Sequence, residues 1–190
     1  VQYIKGKASF SSSSTSPIEI FVSNNKGKKV STIQSKYVVI ATGSESASLK
    51  GVEIDEERIV SSTGALSLKK VPKSMTIIGG GVIGLEMGSV WRRLGAEVTV
   101  IEYLDHILPP LDGEIRQNMQ KILTKQGINF KLGTKVNQVS LEKDKVRIDS
   151  EGTHDQSLQS SLSDVVMLSI GRSPVTSGLG LEEIGVSLSK

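Results

Sequence analysis

Hydrophobic positions change their spacing along the chain, and each change predicts a different kind of element. The stretches Gln2–Phe10, Ile18–Ser23 and Lys29–Ile33 are short strand-like runs, separated by Ser11-Ser12-Ser13-Ser14-Thr15-Ser16-Pro17 and by Asn24-Asn25-Lys26-Gly27. Such runs between polar turns predict antiparallel hairpins, with the serine stretch at a hairpin tip. Tyr37-Val38-Val39-Ile40-Ala41 is continuously apolar, the pattern of a strand buried on both faces, and leads into the small-residue turn Thr42-Gly43-Ser44. Residues 46–72 have weak periodicity and read as a connection, with one short helix near Ser61–Leu66 and a domain boundary near Pro72.

From Ser74 the pattern sharpens. Met75-Thr76-Ile77-Ile78 is a short apolar strand. Val82, Ile83, Leu85, Met87, Val90, Trp91 and Leu94 then recur at helical spacing, and Gly95 closes the helix. Glu97–Glu102 is the next strand. Leu108-Pro109-Pro110 breaks the chain, Asp112 is placed to cap a helix running to Gln126, and Gly127 ends it. Ile128–Leu132 follows as a third strand. Val136–Leu141, Lys145–Ile148 and a weaker Ser157–Leu162 read as an antiparallel meander, and Asp164–Ile170 as a further buried strand ending at Gly171-Arg172. Strands alternating with helices predict an α/β fold: a Rossmann-like domain with a parallel sheet and an antiparallel β-meander, flanked by β-rich segments.

Composition narrows the function classes. A content of 37% hydrophobic and 23% charged residues supports a core with a soluble surface, and no apolar run approaches the roughly 18 residues of a membrane span. The +3 net charge is spread along the chain, and one Trp, three Tyr and three Phe leave few rings for stacking bases, which argues against nucleic acid. Cysteine is absent, so these residues hold no disulfide, thiolate metal site or thiol redox centre. That fits a reducing compartment, with the cytoplasm expected and the mitochondrial matrix as the alternative. The first residues read as the inside of a strand, with neither an initiator Met nor a leader, so the chain is expected to be a piece of something longer.

Gly79-Gly80-Gly81-Val82-Ile83-Gly84 fits G-x-G-x-x-G between a predicted strand and a predicted helix. In that setting Gly79 permits the tight turn, Gly81 lets the backbone approach a pyrophosphate, and Gly84 lets the helix pack on the strand. Helix amides supply an anion site, and Gly88 extends the small-residue face. Glu102 ends the second strand at about the expected spacing of roughly 20 residues from the first glycine. A carboxylate there accepts ribose hydroxyls and repels a 2′-phosphate, and Tyr103–Leu108 contain neither Arg nor Lys. The chemistry suits NAD(H) over NADP(H). FAD uses the same fingerprint, and spacing alone does not separate it from NAD.

These residues resemble the flavoprotein disulfide reductases and, within them, the dihydrolipoamide dehydrogenase group. The resemblance rests on IIGGGVIGLEMGSVWRRLGAEVTVIE (Ile77–Glu102), most distinctively Gly88-Ser89-Val90-Trp91. It rests also on Val38-Val39-Ile40-Ala41-Thr42-Gly43-Ser44 upstream, and on Ile170-Gly171-Arg172-Ser173-Pro174 with Gly178-Leu179-Gly180-Leu181-Glu182 downstream. It implies a partial FAD-binding domain over 1–72, an NAD-binding domain over 73–172 and a return segment over 173–190, and it assigns the glycine fingerprint to NAD. It implies that Gly79, Gly80, Gly81, Val82, Ile83, Gly84, Leu85 and Glu86 line the NAD diphosphate and nicotinamide side. Glu102 would hold the adenosine ribose, Val136 would pack near adenine, and Gly171 would lie beside the nicotinamide half. Ala8, Thr42, Gly43 and Ser44 match FAD-contacting positions, and Glu86 matches a glutamate that pairs with a lysine absent from this chain.

The same resemblance implies an intact enzyme that oxidises dihydrolipoamide through a redox disulfide and FAD and passes hydride to NAD+. Its expected partners are a second identical subunit and the dihydrolipoyl groups of 2-oxo-acid dehydrogenase complexes. The family's redox cysteine pair, amino-terminal FAD fingerprint and carboxy-terminal His-Glu pair are missing, so the chain alone is expected to be inactive, with no catalytic residue of its own. An NADH oxidase or ferredoxin reductase relative, and a non-catalytic nucleotide-binding module, are the alternatives. His106 and His154 have no clustered metal partner in sequence and read as surface loop residues. Trp91 and Met87 read as core, Arg92-Arg93 as a solvated helix face, and Arg172 as either a diphosphate contact or a structural ion pair.

Overall fold

The computed structural model describes residues 1–11 and 17–189, so most of the serine stretch expected at a hairpin tip lies outside the described residues. Contacts divide the chain into two units, Val1–Glu45 with Pro174–Lys190, and Ser46–Ser173. The boundary expected near Pro72 therefore falls inside the second unit. Residues 46–72 supply that unit with a strand and a helix, and a proline in the connection is no barrier to that.

The first unit is built on a three-stranded antiparallel sheet of β1 (Lys7–Phe10), β2 (Ile18–Ser23) and β3 (Lys29–Ser35), in that spatial order. The first strand is shorter than expected, beginning at Lys7 rather than Gln2. Asn24 makes the β2–β3 turn, because its side-chain oxygen accepts the amides of Lys26 at 3.0 Å and Lys28 at 3.1 Å, the Asx geometry that replaces a backbone partner. Lys29 covers the Phe21 ring at 3.5 Å. Tyr37–Ala41 is neither a strand nor buried: Tyr37 is 79% and Val39 88% exposed. An apolar run forms a buried strand only when neighbours pair with it and cover it, and none of the described strands does so here. A fourth, three-residue strand, β4 (Ser44–Ser46), follows.

The second unit holds a five-stranded parallel sheet. Its elements are β5 (Ile59–Val60), α1 (Ser62–Ser67), β6 (Ser74–Ile78), α2 (Val82–Leu94), β7 (Glu97–Ile101), α3 (Gly113–Lys125), β8 (Ile128–Lys131) and β12 (Val165–Leu168), with the strands ordered β5-β12-β6-β7-β8. Between β8 and β12 an antiparallel sheet runs β11 (Leu158–Ser163), β10 (Lys145–Gly152), β9 (Thr134–Glu142). A last short strand, β13 (Arg172–Pro174), begins where the unit ends.

Period-two alternation sorts the parallel strands' side chains to two cores. Met75, Ile77, Val98, Val100, Val165 and Met167 join Leu85, Met87 and Trp91 of α2 and Leu123 of α3. Ile78, Ile101, Val166 and Leu168 instead join Val139, Val146 and Ile148 of the antiparallel sheet. Each fully buried aliphatic side chain contributes roughly 1.5–3 kcal/mol. Both faces being covered explains why these strands read as nearly continuous apolar runs. Trp91 and Met87 are core, as expected, but Val82, Val90 and Leu94 are at least 41% exposed, since a helix on one sheet face buries one stripe only. Arg92 is half-buried rather than solvated: its guanidinium lies beside Gly127 and its Nη1 donates to the Ala96 carbonyl at 3.4 Å. Asp112 occupies the N-cap position of α3, yet its side chain makes no capping hydrogen bond.

Asp164 anchors the start of β6 from the neighbouring strand's entry. Its Oδ2 accepts the Ser74 amide at 2.8 Å, and its Oδ1 accepts from Lys145 Nζ. Burial raises its pKa, but Lys145 and the Ser74 amide outweigh burial and hold it below the ordinary carboxylate range.

Candidate functional site

At the carboxyl ends of the parallel strands the second unit opens a cavity of about 610 Å³, within the roughly 300–1,000 Å³ usual for ligand sites. The loop from β6 to α2 forms its floor, with Gly79, Gly81, Val82 and Ile83 in the wall. Gly79 has φ +109°, a conformation side chains disfavour, and a Cβ there would stand 2.3 Å from the Ser169 carbonyl oxygen. A Cβ on Gly84 would stand 2.3 Å from the Gly79 oxygen, and one on Gly88 3.0 Å from Ile77 Cδ1. These two glycines hold α2 against the sheet. Gly81 is different. Among the described residues a Cβ there would meet nothing within 4 Å, so its lack of a side chain relieves no packing among them.

Gly81 is also the N-cap of α2, and the first amide to find a helical carbonyl is that of Leu85, at 3.0 Å from the Gly81 oxygen. The amides before it face the start of the helix with its positive dipole end, an anion-binding arrangement.

Glu102, one residue past β7, is half-buried and lines the cavity. Its Oε2 accepts the Gly80 amide at 2.6 Å and its Oε1 the Leu104 amide at 2.9 Å. A carboxylate has about four acceptor positions, so two remain for a ligand. The Glu102 backbone completes the frame: its amide donates to the Lys131 carbonyl and its carbonyl accepts the Thr134 amide, both at 2.9 Å. Those bonds bring Thr134, Lys135 and Val136, at the start of β9, into the same wall. Among the described residues, Glu102 and Lys135 are the charged ones in it.

Of the other residues singled out in the sequence, Val136 and Gly171 line the cavity, and Gly80 sits behind it through Glu102. Leu85 is buried in the helix-side core, and Glu86 is exposed on α2 outside the cavity wall. Arg172 follows Gly171 and is not in the wall. Ala8, Thr42, Gly43 and Ser44 belong to the first unit. Ala8 pairs with Val22 across β1 and β2, while Thr42 donates its hydroxyl to the Val175 carbonyl at 2.6 Å and Gly43 accepts the Val175 amide at 3.0 Å.

Sequence reasoning missed Lys135, Tyr103, Pro109 and Ser169 as wall residues. A usable signal existed, since Ser169 and Tyr103 lie just past the ends of parallel strands, where open α/β sheets bind ligands. His154 is exposed and its Nε2 lies 2.7 Å from Asp105 Oδ1. The hydrogen bond to Asp105, and then its charge, raise the His154 pKa above the ordinary 6.5. His106 is half-buried in the loop after β7.

A family model described as pyridine nucleotide-disulphide oxidoreductase matches residues 3–190. The chain belongs to that family. Two relatives illustrate where in the pyridine nucleotide-disulphide oxidoreductases it falls. The dihydrolipoamide dehydrogenase of Chaetomium thermophilum is 51% identical over 191 residues, covering all of this chain and 37% of that protein. The mitochondrial dihydrolipoyl dehydrogenase of Schizosaccharomyces pombe is 47% identical, covering all of this chain and 36% of that protein. The solved structure of LpdA from Mycobacterium tuberculosis superposes with a TM-score of 0.85 at 25% identity, over 98% of this chain and 40% of that one. The chain thus spans a little over a third of the length of the curated relatives it matches. In this pyridine nucleotide-disulphide oxidoreductase sequence there is no cysteine, so any redox disulfide lies outside these residues.

Proposed function

We propose that this chain is the NAD-binding part of a dihydrolipoamide dehydrogenase. In the intact enzyme, bound FAD would carry electrons from a redox disulfide reduced by dihydrolipoamide to NAD+. The observation that carries the reading is a pair of features in one cavity. Gly81 presents bare backbone with open space where a Cβ would be, and Glu102 presents a carboxylate with acceptor positions to spare.

The residues divide the work. Amides at the start of α2 bind the diphosphate, and Gly81 lets it come close. Glu102 accepts the adenosine ribose hydroxyls and repels a 2′-phosphate, while Val136 packs against adenine. Gly171, also in the wall, leaves room for the nicotinamide half. In the first unit, Ala8, Thr42, Gly43 and Ser44 would contribute to FAD binding, and Glu86 would meet a lysine outside this chain. The intact enzyme would pair with a second identical subunit and serve 2-oxo-acid dehydrogenase complexes, as the sequence resemblance implies. Relatives named as mitochondrial favour that compartment over the cytoplasm.

The test is titration of the chain with NADH and NADPH, followed by nucleotide fluorescence. NADH is expected to bind at least tenfold more tightly, about 1.4 kcal/mol. Glu102→Ala is expected to shrink that ratio, because the ribose contact and the phosphate repulsion disappear together. Equal affinities in the unmodified chain would remove the basis for the assignment.

A further inference from the structure

The cavity wall holds one charged residue the proposed function does not use. Lys135 is exposed at the start of β9, lines the cavity, and forms no ion pair among the described residues. Its place is fixed by the preceding residue, since the Thr134 amide donates to the carbonyl of Glu102 at 2.9 Å. On β10 the residue opposite Lys135 is Glu151, but that carboxylate accepts instead from Asn137 at 3.2 Å. A cation without a carboxylate partner thus flanks the acid expected to meet the adenosine ribose. We infer that Lys135 is a second specificity-determining residue, a latent acceptor of the 2′-phosphate of NADP whose attraction Glu102 overrides.

The inference rests on the dinucleotide reading above and sharpens it. A 2′-phosphate carries a charge of about −1.5 to −2 at neutral pH. In the wild-type cavity it would face two opposing charges, Glu102 repelling and Lys135 attracting. Discrimination against NADPH is then a difference between the two, and smaller than the acid alone would give. With the acid neutralised, the lysine acts unopposed. A solvent-accessible lysine bonded to a phosphate is worth about five- to tenfold in affinity, and the effect weakens as added salt screens it.

Four versions of the chain decide it: wild type, Glu102→Gln, Lys135→Ala and the double variant, each titrated with NADH and NADPH at low and high salt. Glutamine keeps a carbonyl oxygen for the Gly80 amide, so the glycine turn retains that support, while its NH2 cannot accept the Leu104 amide. Glu102→Gln is expected to gain about tenfold for NADPH, and adding Lys135→Ala to remove about five- to tenfold of that gain. NADH affinity should change less than about twofold on Lys135→Ala, whose side chain is exposed. Lys135→Ala alone should widen the preference for NADH, and this arm stands even if Glu102→Gln fails to fold.

A gain for NADPH that survives Lys135→Ala overturns the inference. So does equal weakening of both nucleotides by Lys135→Ala, which would place the lysine on the shared diphosphate. A folded wild-type chain that binds neither nucleotide overturns the dinucleotide reading beneath it, and is distinct from either result.

Discussion

Gly81→Ala separates a ligand site from a structural turn, because the two demand different things of the same atom. In the free protein the added methyl costs little. Gly81 has φ −78° and ψ 179°, which alanine adopts without strain, and nothing lies within 4 Å of its Cβ. Alanine is a poorer N-cap than glycine by about 0.5 kcal/mol, while the less flexible unfolded chain returns about 0.4–1 kcal/mol. The two offset, so stability should stay within about 0.5 kcal/mol of wild type. Among the described residues no atom meets the methyl, whereas a bound molecule would. A diphosphate lying on the start of α2 would be pushed off the amides, with NADH and NADPH losing affinity alike, by at least about tenfold or 1.4 kcal/mol. Urea denaturation measures the first quantity and fluorescence titration the second. Undiminished NADH binding by a stable Gly81→Ala chain would show that no diphosphate crosses this glycine.

Gly84→Ala should behave in the opposite way: its Cβ would stand 2.3 Å from the Gly79 oxygen and 3.2 Å from Ile77 Cγ2, and backbone cannot step aside. Overpacking of this kind costs about 1–3 kcal/mol, so the urea midpoint should fall, and an unchanged midpoint would contradict the packing described. The His154–Asp105 pair predicts a pH dependence. His154 titrates higher folded than unfolded, so its contribution is fully present below about pH 6.5 and is lost as pH rises through the folded value. Melting curves between mildly acidic and mildly alkaline pH should show wild type and His154→Gln converging as pH rises, and a constant gap would exclude the pairing as its source.

What the sequence disclosed and what it hid follow from the range of the interactions involved. The path from β6 through Gly79 and α2 to Glu102 was legible because strand, turn, helix and acid are each specified by near neighbours. Tyr37–Ala41 misled because burial is supplied by other strands, and apolar content alone cannot tell a covered strand from an exposed segment. Pro72 misled for the converse reason. The two residues of β5 are too short to register as a strand, and they belong to the sheet only through β12, where Ile59 pairs with Val166 and Val60 with Met167. Lys135 reads as an ordinary surface lysine until the Thr134–Glu102 hydrogen bond places it beside the acid.

Glu102 shows the same limit within the cavity wall. Its offset from Gly79 suggests an acid waiting for a sugar, independent of the glycine turn. In the fold the same carboxylate also braces the turn, because its Oε2 holds the Gly80 amide at 2.6 Å. Effects of residues that share a partner do not add. Removing the acid should therefore disturb the diphosphate floor as well as the ribose contact, and a nucleotide with no ribose preference would still feel the loss. Glu102→Gln spares the amide's acceptor and Glu102→Ala does not. The difference in NADH affinity between these two variants reports every contact that glutamine retains and alanine loses, the Gly80 acceptor among them, and a difference of zero would mean that the turn holds its shape without it.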